Sequence, residues 1–338
     1  MRTVRTTRTT CRRTRAAAAA LAALALAAGC SGSGGKQSED AASGASGKAA
    51  GTPRMTIGMV SHSGEGDTFW DIVQTGAEQA AKKDNVKFLY AGDKEGSRQA
   101  ELVRSMVDQK VDGLIVTLAK PQALKSAVRA AERAGIPVLT INSGGEYSRR
   151  YGALTHIGQD ESVAGRAVGD ELNERHRKKA LCVIHEQGNV SLEDRCAGVK
   201  ESFRGTVENL NVDGTNAPSS QSSIEAKLQA DKGIDAIVTL GAPMAAISVK
   251  ARDQAGSAAQ LATFDLNAAV VKSLKAKDIT FVVDQQPYLQ GYEAVDLLWL
   301  NRTNGNVLGG GRPVLTGPAI VTGEDVPALE KYTARGTR

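Results

Sequence analysis

The clearest pattern along the chain is an alternation of short apolar runs with longer amphipathic segments, which begins at Met55. Runs rich in Val, Ile and Leu predict buried β-strands, and apolar residues at helical spacing predict helices that cover a sheet. In the first half, this pattern predicts strands at 55–61, 86–91, 113–118 and 137–142, and helices at 69–84, 97–109 and 121–134. Alternation at this spacing is typical of right-handed β-α-β units around a parallel sheet.

The same alternation continues in the second half of the chain. It predicts strands at 180–185, 208–212, 236–240, 261–265 and 279–284, separated by helices near 161–177, 191–203, 222–231, 242–255 and 267–276. Roughly 270 residues with this pattern are more than one hydrophobic core usually serves. The predicted fold class is therefore α/β with two lobes, although the pattern does not assign individual strands to a lobe.

The first residues have the composition of an export signal. Six Arg lie between Arg2 and Arg15 without an acidic residue among them, and the thirteen residues at 16–28 are all Ala or Leu. Thirteen apolar residues are too few for a transmembrane helix. The run ends in small residues before Cys30 and resembles a bacterial lipoprotein signal. We therefore expect a signal peptide at 1–29 and lipidation of Cys30.

Removal of residues 1–29 changes the charge of the chain. The sequence has 42 Lys and Arg against 37 Asp and Glu, and since 1–29 holds six Arg and no acid, the remainder has 36 against 37, a net charge near −1. The basic character belongs to the expected signal, so the rest of the chain does not have the charge of a nucleic-acid-binding protein. Residues 31–51 are mostly Gly, Ser and Ala, and we expect a flexible tether at 30–53.

Two cysteines, Cys182 and Cys196, lie in the part of the chain that is expected to fold. Cys182 is on a predicted strand, and Cys196 is in the first turns of the helix that follows. Disulfides persist in exported proteins, and closing a loop of about 15 residues would stabilise the fold by roughly 3 kcal/mol on the chain-entropy model. Two buried free thiols are the alternative. A metal site is not expected, because two cysteines without a clear third ligand make a poor zinc site.

The most informative segment is the last predicted strand with the helix that follows it. The strand ends in Asp284-Gln285-Gln286, and Pro287 then begins a helix. Polar residues at the end of a strand lie where α/β proteins bind ligands. This segment resembles the hinge and ligand-binding segment of the type I periplasmic sugar-binding proteins, the ribose-binding-protein family. The alternative interpretation is a helix cap with a surface Gln.

The resemblance covers about residues 54–322. It implies two Rossmann-like lobes with parallel sheets, joined by a three-segment hinge, which is the type I periplasmic binding protein fold. The chain would cross between the lobes near 156–159, 284–287 and 316–321. Lobe 1 would then consist of 54–157 plus 287–315 and lobe 2 of 158–286 plus 316–325, with a C-terminal tail at 326–338.

The same resemblance marks candidate ligand-binding residues in the first lobe. Asp67, Phe69 and Trp70 match the spacing of one polar residue and two aromatics that face the sugar in that family. Aromatic faces suit the C–H faces of a sugar, and a carboxylate accepts from hydroxyls. Asn142 ends the fourth strand, where the family usually has an Asp-Arg pair, and Ser143 stands in place of the arginine. The alternative is that Phe69 and Trp70 are core residues of the first helix.

Four further ligand-binding positions are implied by the resemblance. Arg195 begins a helix, and its guanidinium would offer a fork of donors to neighbouring hydroxyls. Asp265 and Gln285 match the sugar-binding Asp and Gln of the family, and Gln159 falls on another contact position. The alternatives are a solvated Arg at a helix end and, for Asp265, a helix N-cap.

Two departures from the family change the expected ligand. Gly241 stands where ribose binders have a polar side chain, and beside a Pro the stretch 218–223 offers only Ser and Gln where they have a third aromatic. We therefore expect another monosaccharide, a cyclic polyol such as inositol, or a sugar-derived signal, rather than ribose.

These features predict a solute-binding lipoprotein on the outer face of the cell membrane, which acts as a monomer, captures a small sugar or polyol and delivers it to an ABC permease. A sensory receptor with the same fold and site is the alternative, which neighbouring genes would separate from transport. A secreted enzyme is disfavoured because the sequence shows no nucleophile elbow, paired-histidine motif or nucleotide loop. The expected export signal disfavours a regulator of the lactose-repressor type. We expect no cofactor and no nucleic-acid partner.

Overall fold

The structure, a computed structural model, describes residues 50–64 and 67–338. Strands and helices alternate along these residues. The strands are β1 (Met55–Ser61), β2 (Val86–Gly92), β3 (Gly113–Val116), β4 (Val138–Ile141), β5 (His156–Gln159), β6 (Lys179–Ile184), β7 (Thr206–Asn211), β8 (Ala236–Thr239), β9 (Gln260–Phe264), β10 (Phe281–Asp284), β11 (Val314–Gly317) and β12 (Ala319–Thr322). The helices are α1 (Thr68–Lys83), α2 (Gly96–Asp108), α3 (Pro121–Arg133), α4 (Gly145–Ser148), α5 (Glu161–Glu174), α6 (Val190–Ser202), α7 (Ala217–Ala230), α8 (Ala242–Gln254), α9 (Ala268–Ala276), α10 (Pro287–Asn304) and α11 (Val326–Ala334).

The strands form two six-stranded sheets, one in each lobe. The order is β11-β5-β4-β3-β1-β2 in the first lobe and β12-β10-β9-β8-β6-β7 in the second. The two orders correspond strand for strand, so β1 is equivalent to β6, β4 to β9 and β5 to β10. All pairs are parallel except β10 with β12. The predicted class of two α/β lobes is confirmed, with one antiparallel edge strand added.

Each sheet is buried on both faces by helices, which is what makes its central strands continuously apolar. In the first lobe, α1 and α10 cover one face, and α2 and α3 cover the other. In the second lobe, α5 and α6 cover one face, and α7, α8, α9 and α11 cover the other. The carboxyl ends of the parallel strands are left free of these layers, and this is the edge at which such sheets bind ligands.

Two predicted features differ from the structure. The sequence predicts a buried strand at 86–91, but β2 is an edge strand and most of its residues are half-buried or exposed. The predicted tail, 326–338, contains α11, which packs against α9 and buries Val326 in the core of the second lobe. Both differences concern which neighbours an element finds in the fold, and local sequence does not encode that.

The chain crosses between the lobes three times. The crossings follow β5, β10 and β11, so that α5, α10 and β12 each belong to the lobe opposite the preceding strand. Since β5 ends at Gln159 and β11 at Gly317, the first and third lobe boundaries lie slightly later than the predicted 157 and 315. All three crossings lie at the base of the cleft between the lobes.

The predicted signal peptide, the lipidation site Cys30 and most of the predicted tether lie outside the described residues. The end of that tether packs on the first lobe, where Trp299 Nε1 donates to Thr52 Oγ1 at 3.1 Å. Along the part of the chain that the structure describes, we find no helix with the length and apolar character needed to cross a membrane.

One helix pair in each lobe is in close contact at glycines. In the first lobe, α1 meets α10 at Gly76 and Gly291, and a Cβ on Gly76 would lie 2.0 Å from a carbonyl oxygen of α10. In the second lobe, α5 meets α6 at Gly165 and Gly198, and a Cβ on Gly165 would lie 2.2 Å from the carbonyl oxygen of Arg195. These positions accept no side chain, so the glycines set the distance between the helices.

The substitution Gly165→Ala separates two opposing effects. Ala favours an isolated helix by about 1 kcal/mol over Gly, but here the added methyl group would overlap the Arg195 carbonyl and push α5 away from α6. Overpacking should prevail and lower the free energy of unfolding by roughly 1–3 kcal/mol, measured by urea denaturation. Gly51→Ala is the control, because its Cβ would meet nothing within 4 Å. A stabilised Gly165→Ala variant would contradict this account of the helix contact.

Candidate functional site

A cavity of about 730 Å³ opens between the lobes at the carboxyl ends of both sheets. Its walls come from the loops after β1, β2 and β4 in the first lobe, from the loops after β6, β7, β8 and β9 in the second, and from the crossing after β10. This volume lies within the roughly 300–1,000 Å³ that is usual for small-molecule sites. Most of the predicted ligand-binding residues border the cavity: Asp67, Phe69, Trp70, Asn142, Arg195, Asp265 and Gln285.

A chain of hydrogen-bonded side chains forms the floor of the cavity and joins the lobes. Ser143 Oγ donates to Asn142 Oδ1 at 2.8 Å, and Asn142 Nδ2 donates to Gln285 Oε1 at 3.0 Å. Gln285 Nε2 then donates to Asp265 Oδ1 at 2.6 Å. Asn142 belongs to the first lobe, Asp265 to the second and Gln285 to the crossing between them. The floor is therefore one continuous polar network across the hinge.

Two side chains of the first lobe, those of Gln290 and Thr316, donate hydrogen bonds to Gln285. Gln290 Nε2, on α10, donates to both the side-chain and main-chain oxygens of Gln285 at 3.1 Å. Thr316 Oγ1, on β11, donates to the main-chain oxygen at 2.8 Å. With its side-chain oxygen accepting two bonds and its nitrogen donating to a carboxylate, the Gln285 amide has only one suitable orientation.

Asn142 and Asp265 occupy equivalent places in the two lobes. Each directly follows its strand, β4 or β9, and each has a left-handed backbone, with φ of 63° and 69°. Asn and Asp tolerate this conformation better than other side chains. The turn directs both side chains to the floor of the cavity. Asn and Asp therefore suit both the left-handed backbone and the polar site.

The Arg195 guanidinium forms a buried ion pair with Glu161. Nε lies 2.6 Å from Glu161 Oε2 and Nη2 lies 3.0 Å from Oε1, a bidentate arrangement. Nη1 donates to the Leu240 carbonyl at 3.0 Å, and the guanidinium carbon lies 4.5 Å from the centre of the Phe264 ring. These contacts use three of the five N–H groups of the side chain. Two donors are left at a group that borders the cavity.

Covalent and packing constraints fix the helix that carries Arg195. Cys182 on β6 and Cys196 on α6 form a disulfide with a Cα–Cα distance of 6.0 Å. The bond ties α6 to the sheet at the residue next to Arg195. On its other side, α6 is held against α5 by the glycine contact, and α5 begins at Glu161.

The loop after β1 brings an acid and two aromatic residues to the cavity. Asp67 is the N-cap of α1 and accepts from the Phe69 main-chain nitrogen at 3.1 Å. Phe69 is half-buried at the cavity, whereas Trp70 is only 3% exposed and packs in the core of the first lobe while touching the cavity. Trp70 is therefore both a core residue of the first lobe and a residue of the cavity wall, so the two interpretations of the sequence both apply to it.

Gln159 does not border the cavity. It is the last residue of β5, it is 3% exposed, and its Nε2 donates to Glu161 Oε2 at 2.8 Å. Its place at the first crossing makes it a support for the Glu161–Arg195 pair instead of a wall of the cleft. The family resemblance predicts a ligand contact at Gln159, but its side chain turns to the hinge.

Burial is the main cause of the raised pKa of two acidic residues at the site. It raises the pKa of Asp265 to about 7, although Arg195 and the Gln285 amide favour the ionised form. Burial also raises the pKa of Asp67, against the bond from the Phe69 N–H. Both carboxyl groups are thus held less negative than they would be in water, and the buried cation of the cavity, Arg195, is already paired with Glu161.

The histidines at the cavity are neutral. Burial lowers the pKa of His185 to about 4 and also lowers the pKa of His62. His185 fills the space beside Gly241, since a Cβ on Gly241 would lie 3.2 Å from its Cε1. The imidazole ring of His185, which follows β6, therefore occupies the space that a polar side chain at position 241 would fill.

Sequence reasoning missed several polar residues of the site, including Glu161, Glu186 and Asn189. Glu161 lies in the first turn of a helix, where an acid is common because of the helix dipole, so nothing marked it as the partner of Arg195. Glu186 and Asn189 follow β6 and border the cavity. The equivalence of β6 with β1 would have found them, because the loop after β1 was already a candidate. Among the described residues, no cluster of His, Cys, Asp or Glu is arranged to hold a metal ion.

Residues 57–304 match the periplasmic binding protein domain family. Among curated proteins, the ribose import binding protein RbsB of Bacillus subtilis is 24% identical over 246 residues, which is 71% of this chain and 79% of that protein.

Solved structures extend the comparison. A carbohydrate transporter from Acidothermus cellulolyticus 11B, in complex with myo-inositol, is 46% identical, with a TM-score of 0.84 over 85% of this chain and 100% of that chain. An ABC transporter solute binding protein from Burkholderia graminis C4D1M, in complex with D-arabinose, is 23% identical, with a TM-score of 0.71 over 80% of this chain and 96% of that chain. At the lower identity the likeness concerns the fold alone.

Replacement of Asp265 by Asn should change how stability depends on pH. A carboxyl whose pKa is raised in the folded state stabilises the fold while it is protonated, and that contribution is lost as pH rises through the folded pKa. The wild type should therefore lose stability relative to Asp265→Asn between roughly pH 4 and pH 7. Urea denaturation of both proteins at pH 5 and pH 8 measures this difference. A difference that does not change with pH would contradict the raised pKa.

The Glu161–Arg195 pair should be important for stability because both groups are buried. Glu161→Gln leaves the guanidinium without its counter-ion and should lower the free energy of unfolding by roughly 3–5 kcal/mol. Glu330→Gln breaks the Lys275–Glu330 pair, in which both side chains are 52% exposed, and should cost less than about 1 kcal/mol. Equal effects of the two substitutions, measured by urea denaturation, would show that burial of the pair is not what matters.

Proposed function

Because the chain belongs to the periplasmic binding protein family, we propose that it is an extracytoplasmic solute-binding lipoprotein, anchored through Cys30, which acts as a monomer and delivers a small neutral polyol or sugar to an ABC permease. The family confirms the resemblance found in the sequence, and its members among the relatives are binding proteins of sugar transport rather than enzymes. The lipid anchor and the permease are supported by the sequence pattern around Cys30 and by the family.

One observation carries the choice of ligand. The 46% identical carbohydrate transporter is in complex with myo-inositol, and the likeness spans 85% of this chain. We take a cyclic polyol, with myo-inositol as the first candidate, as the ligand of this protein. The departures at Gly241 and in the stretch 218–223, which disfavour ribose, point in the same direction.

The charges of the cavity suit a neutral ligand. The Arg195 guanidinium is already matched by Glu161, so it offers donors without a net positive charge. Lys94 and Arg98 border the cavity too, but both are exposed. Four acids also border it, so the lining has no excess of positive charge that would favour an anion: Asp67, Asp93, Glu186 and Asp265. A polyol with hydroxyls around a ring can donate to these carboxyl oxygens and accept from the two remaining Arg195 N–H groups.

A ligand that contacts both lobes can change how the lobes are arranged relative to each other. Arg195 and Asp265 belong to the second lobe, and Asn142 and Asp67 to the first. A ligand that bonds to both sets stabilises the closed arrangement of the lobes, and a permease that recognises this arrangement receives only loaded protein.

Isothermal titration calorimetry against myo-inositol, its isomers, pentoses, hexoses and an inositol phosphate tests the proposal. We expect binding of myo-inositol and weaker binding of the phosphate. Arg195→Ala and Asp265→Ala should each weaken binding at least tenfold, since bonds to charged groups contribute about 1.5–3 kcal/mol.

The control for the two variants is Arg335→Ala, which removes an arginine that stacks on Tyr332 away from the cavity. Its affinity should equal that of the wild type. Tighter binding of the phosphate than of myo-inositol, or unchanged affinity in both site variants, would contradict the proposed ligand and the proposed site respectively.

A further inference from the structure

His62 follows β1 and connects the core of the first lobe with the second lobe across the cavity. Its Nδ1 lies 2.8 Å from Thr117 Oγ1, and its Nε2 lies 3.4 Å from Nδ2 of Asn189. The ring also meets the Trp70 ring edge to face, with centroids 5.1 Å apart. A neutral imidazole donates from one nitrogen and accepts at the other, so its role at the cavity depends on which nitrogen carries the proton.

The orientation of the buried Gln99 amide is fixed by main-chain oxygens. Its Nε2 lies 3.0 Å from the Thr117 carbonyl and 3.4 Å from the Val60 carbonyl. Carbonyl oxygens only accept, so the group that faces them is the nitrogen of the amide. The same nitrogen lies 3.0 Å from Thr117 Oγ1. Since an amide nitrogen carries two hydrogens, it donates to the two oxygens at 3.0 Å, which are the carbonyl and the hydroxyl of Thr117.

The Thr117 hydroxyl then determines the tautomer of His62. A hydroxyl oxygen has two lone pairs and one proton. The Gln99 amide occupies one lone pair, and the main-chain N–H of His62, at 3.0 Å, occupies the other. The hydroxyl proton is left for His62 Nδ1. Since burial lowers the pKa of His62, the ring is neutral, Nδ1 accepts and Nε2 carries the hydrogen.

Asn189 presents a second donor from the opposite lobe. Its Oδ1 accepts from the Ser191 main-chain nitrogen at 3.1 Å, which orients the amide, and its Nδ2 donates to Glu186 Oε2 at 2.9 Å. The other Nδ2 hydrogen is free to face His62. Two donors do not bond to each other, but an oxygen about 2.9 Å from each nitrogen accepts from both.

We propose that His62 and Asn189 form a two-donor subsite for one hydroxyl oxygen of the ligand, which thereby links the lobes, and that Thr117 and Gln99 are the residues that position His62. This inference rests on the proposed function, because it deepens the description of the same cavity. It assigns the ligand an oxygen that bonds to both sides of the cleft, separate from the bonds to Arg195 and Asp265.

Contacts beside the subsite bring the two segments together. The Val190 main-chain nitrogen donates to the Ala119 carbonyl at 3.1 Å, and Lys120 Nζ lies 3.5 Å from Glu186 Oε1. These contacts hold the two segments close together, with His62 Nε2 and Asn189 Nδ2 3.4 Å apart, so that one oxygen can reach both nitrogens.

Nitrogen-15 NMR of histidine-labelled protein measures the tautomer directly. The chain has only four His, and His62→Gln assigns the resonance. We expect the Nε2–H form in the wild type and in Thr117→Ser, and loss of this preference in Thr117→Val, which lacks the hydroxyl. An Nδ1–H form in the wild type, or an unchanged tautomer in Thr117→Val, would overturn the proposal.

Calorimetry with myo-inositol measures the contribution of the pair to binding. His62→Phe and Asn189→Ala should each raise Kd about fivefold to tenfold. Thr117→Val should raise it as well, and Thr117→Ser should restore it. Thr140→Val is the matched control, because Thr140 bonds to Nδ1 of His156, a histidine outside the cavity. Unchanged Kd in His62→Phe and Asn189→Ala would overturn the subsite.

Failure of the proposed function gives a different result. If the wild type binds no polyol or sugar of the panel, the proposed ligand is contradicted, whereas the tautomer is measured without any ligand. The two-donor subsite is contradicted, whatever the ligand, if the proton of the His62 ring is found on Nδ1.

Discussion

The geometry of the site depends on the Gln285 side chain, which is hydrogen bonded to both lobes at once. Its oxygen accepts from Asn142 and Gln290 in the first lobe, and its nitrogen donates to Asp265 in the second. A buried amide that lost one of these partners would leave a polar group unpaired, which costs about 1–3 kcal/mol. The relative position of Asn142 and Asp265 is therefore tied to a residue of the hinge, and any ligand on that floor contacts the hinge itself.

Electrostatics then decides which ligands the floor can accept. Three basic side chains border the cleft, Lys94, Arg98 and Arg195, and only Arg195 is buried. Glu161 pairs with Arg195 bidentately, and burial raises the pKa of Asp265 to about 7. A paired cation in a low-dielectric site provides directional donors without attracting anions. Hydroxyl groups, which donate and accept, match such a surface better than carboxylates or phosphates do. The neutral His62 and His185 extend the same character to the rest of the wall.

The two lobes reach this arrangement by the same structural route. Equivalent strands carry equivalent residues, with Asn142 after β4 and Asp265 after β9 both in the left-handed conformation. In each lobe a glycine pair lets two helices touch along their backbones, and in the second lobe this contact brings α5, with Glu161, to α6, with Arg195. The disulfide next to Arg195 holds α6 to the sheet. Packing, covalent linkage and charge pairing therefore act on the same short stretch of helix.

The sequence by itself determined the alternation of strands and helices, and hence that Asn142, Asp265 and Gln285 lie at the carboxyl ends of their strands. Strand periodicity and a following helix leave only one place for a side chain at the carboxyl end of a parallel strand. The family resemblance indicated Arg195, and the exported context with the spacing of Cys182 and Cys196 favoured a disulfide over two free thiols. The partner of Arg195 was not readable, because Glu161 is distant in sequence and looks like any acid in a first helical turn. Only the tertiary structure shows that Gln159 lies outside the cavity, that Trp70 packs in the core and that His62 faces Asn189. Those outcomes depend on which elements become neighbours, and neighbours are decided by the packing of the whole chain.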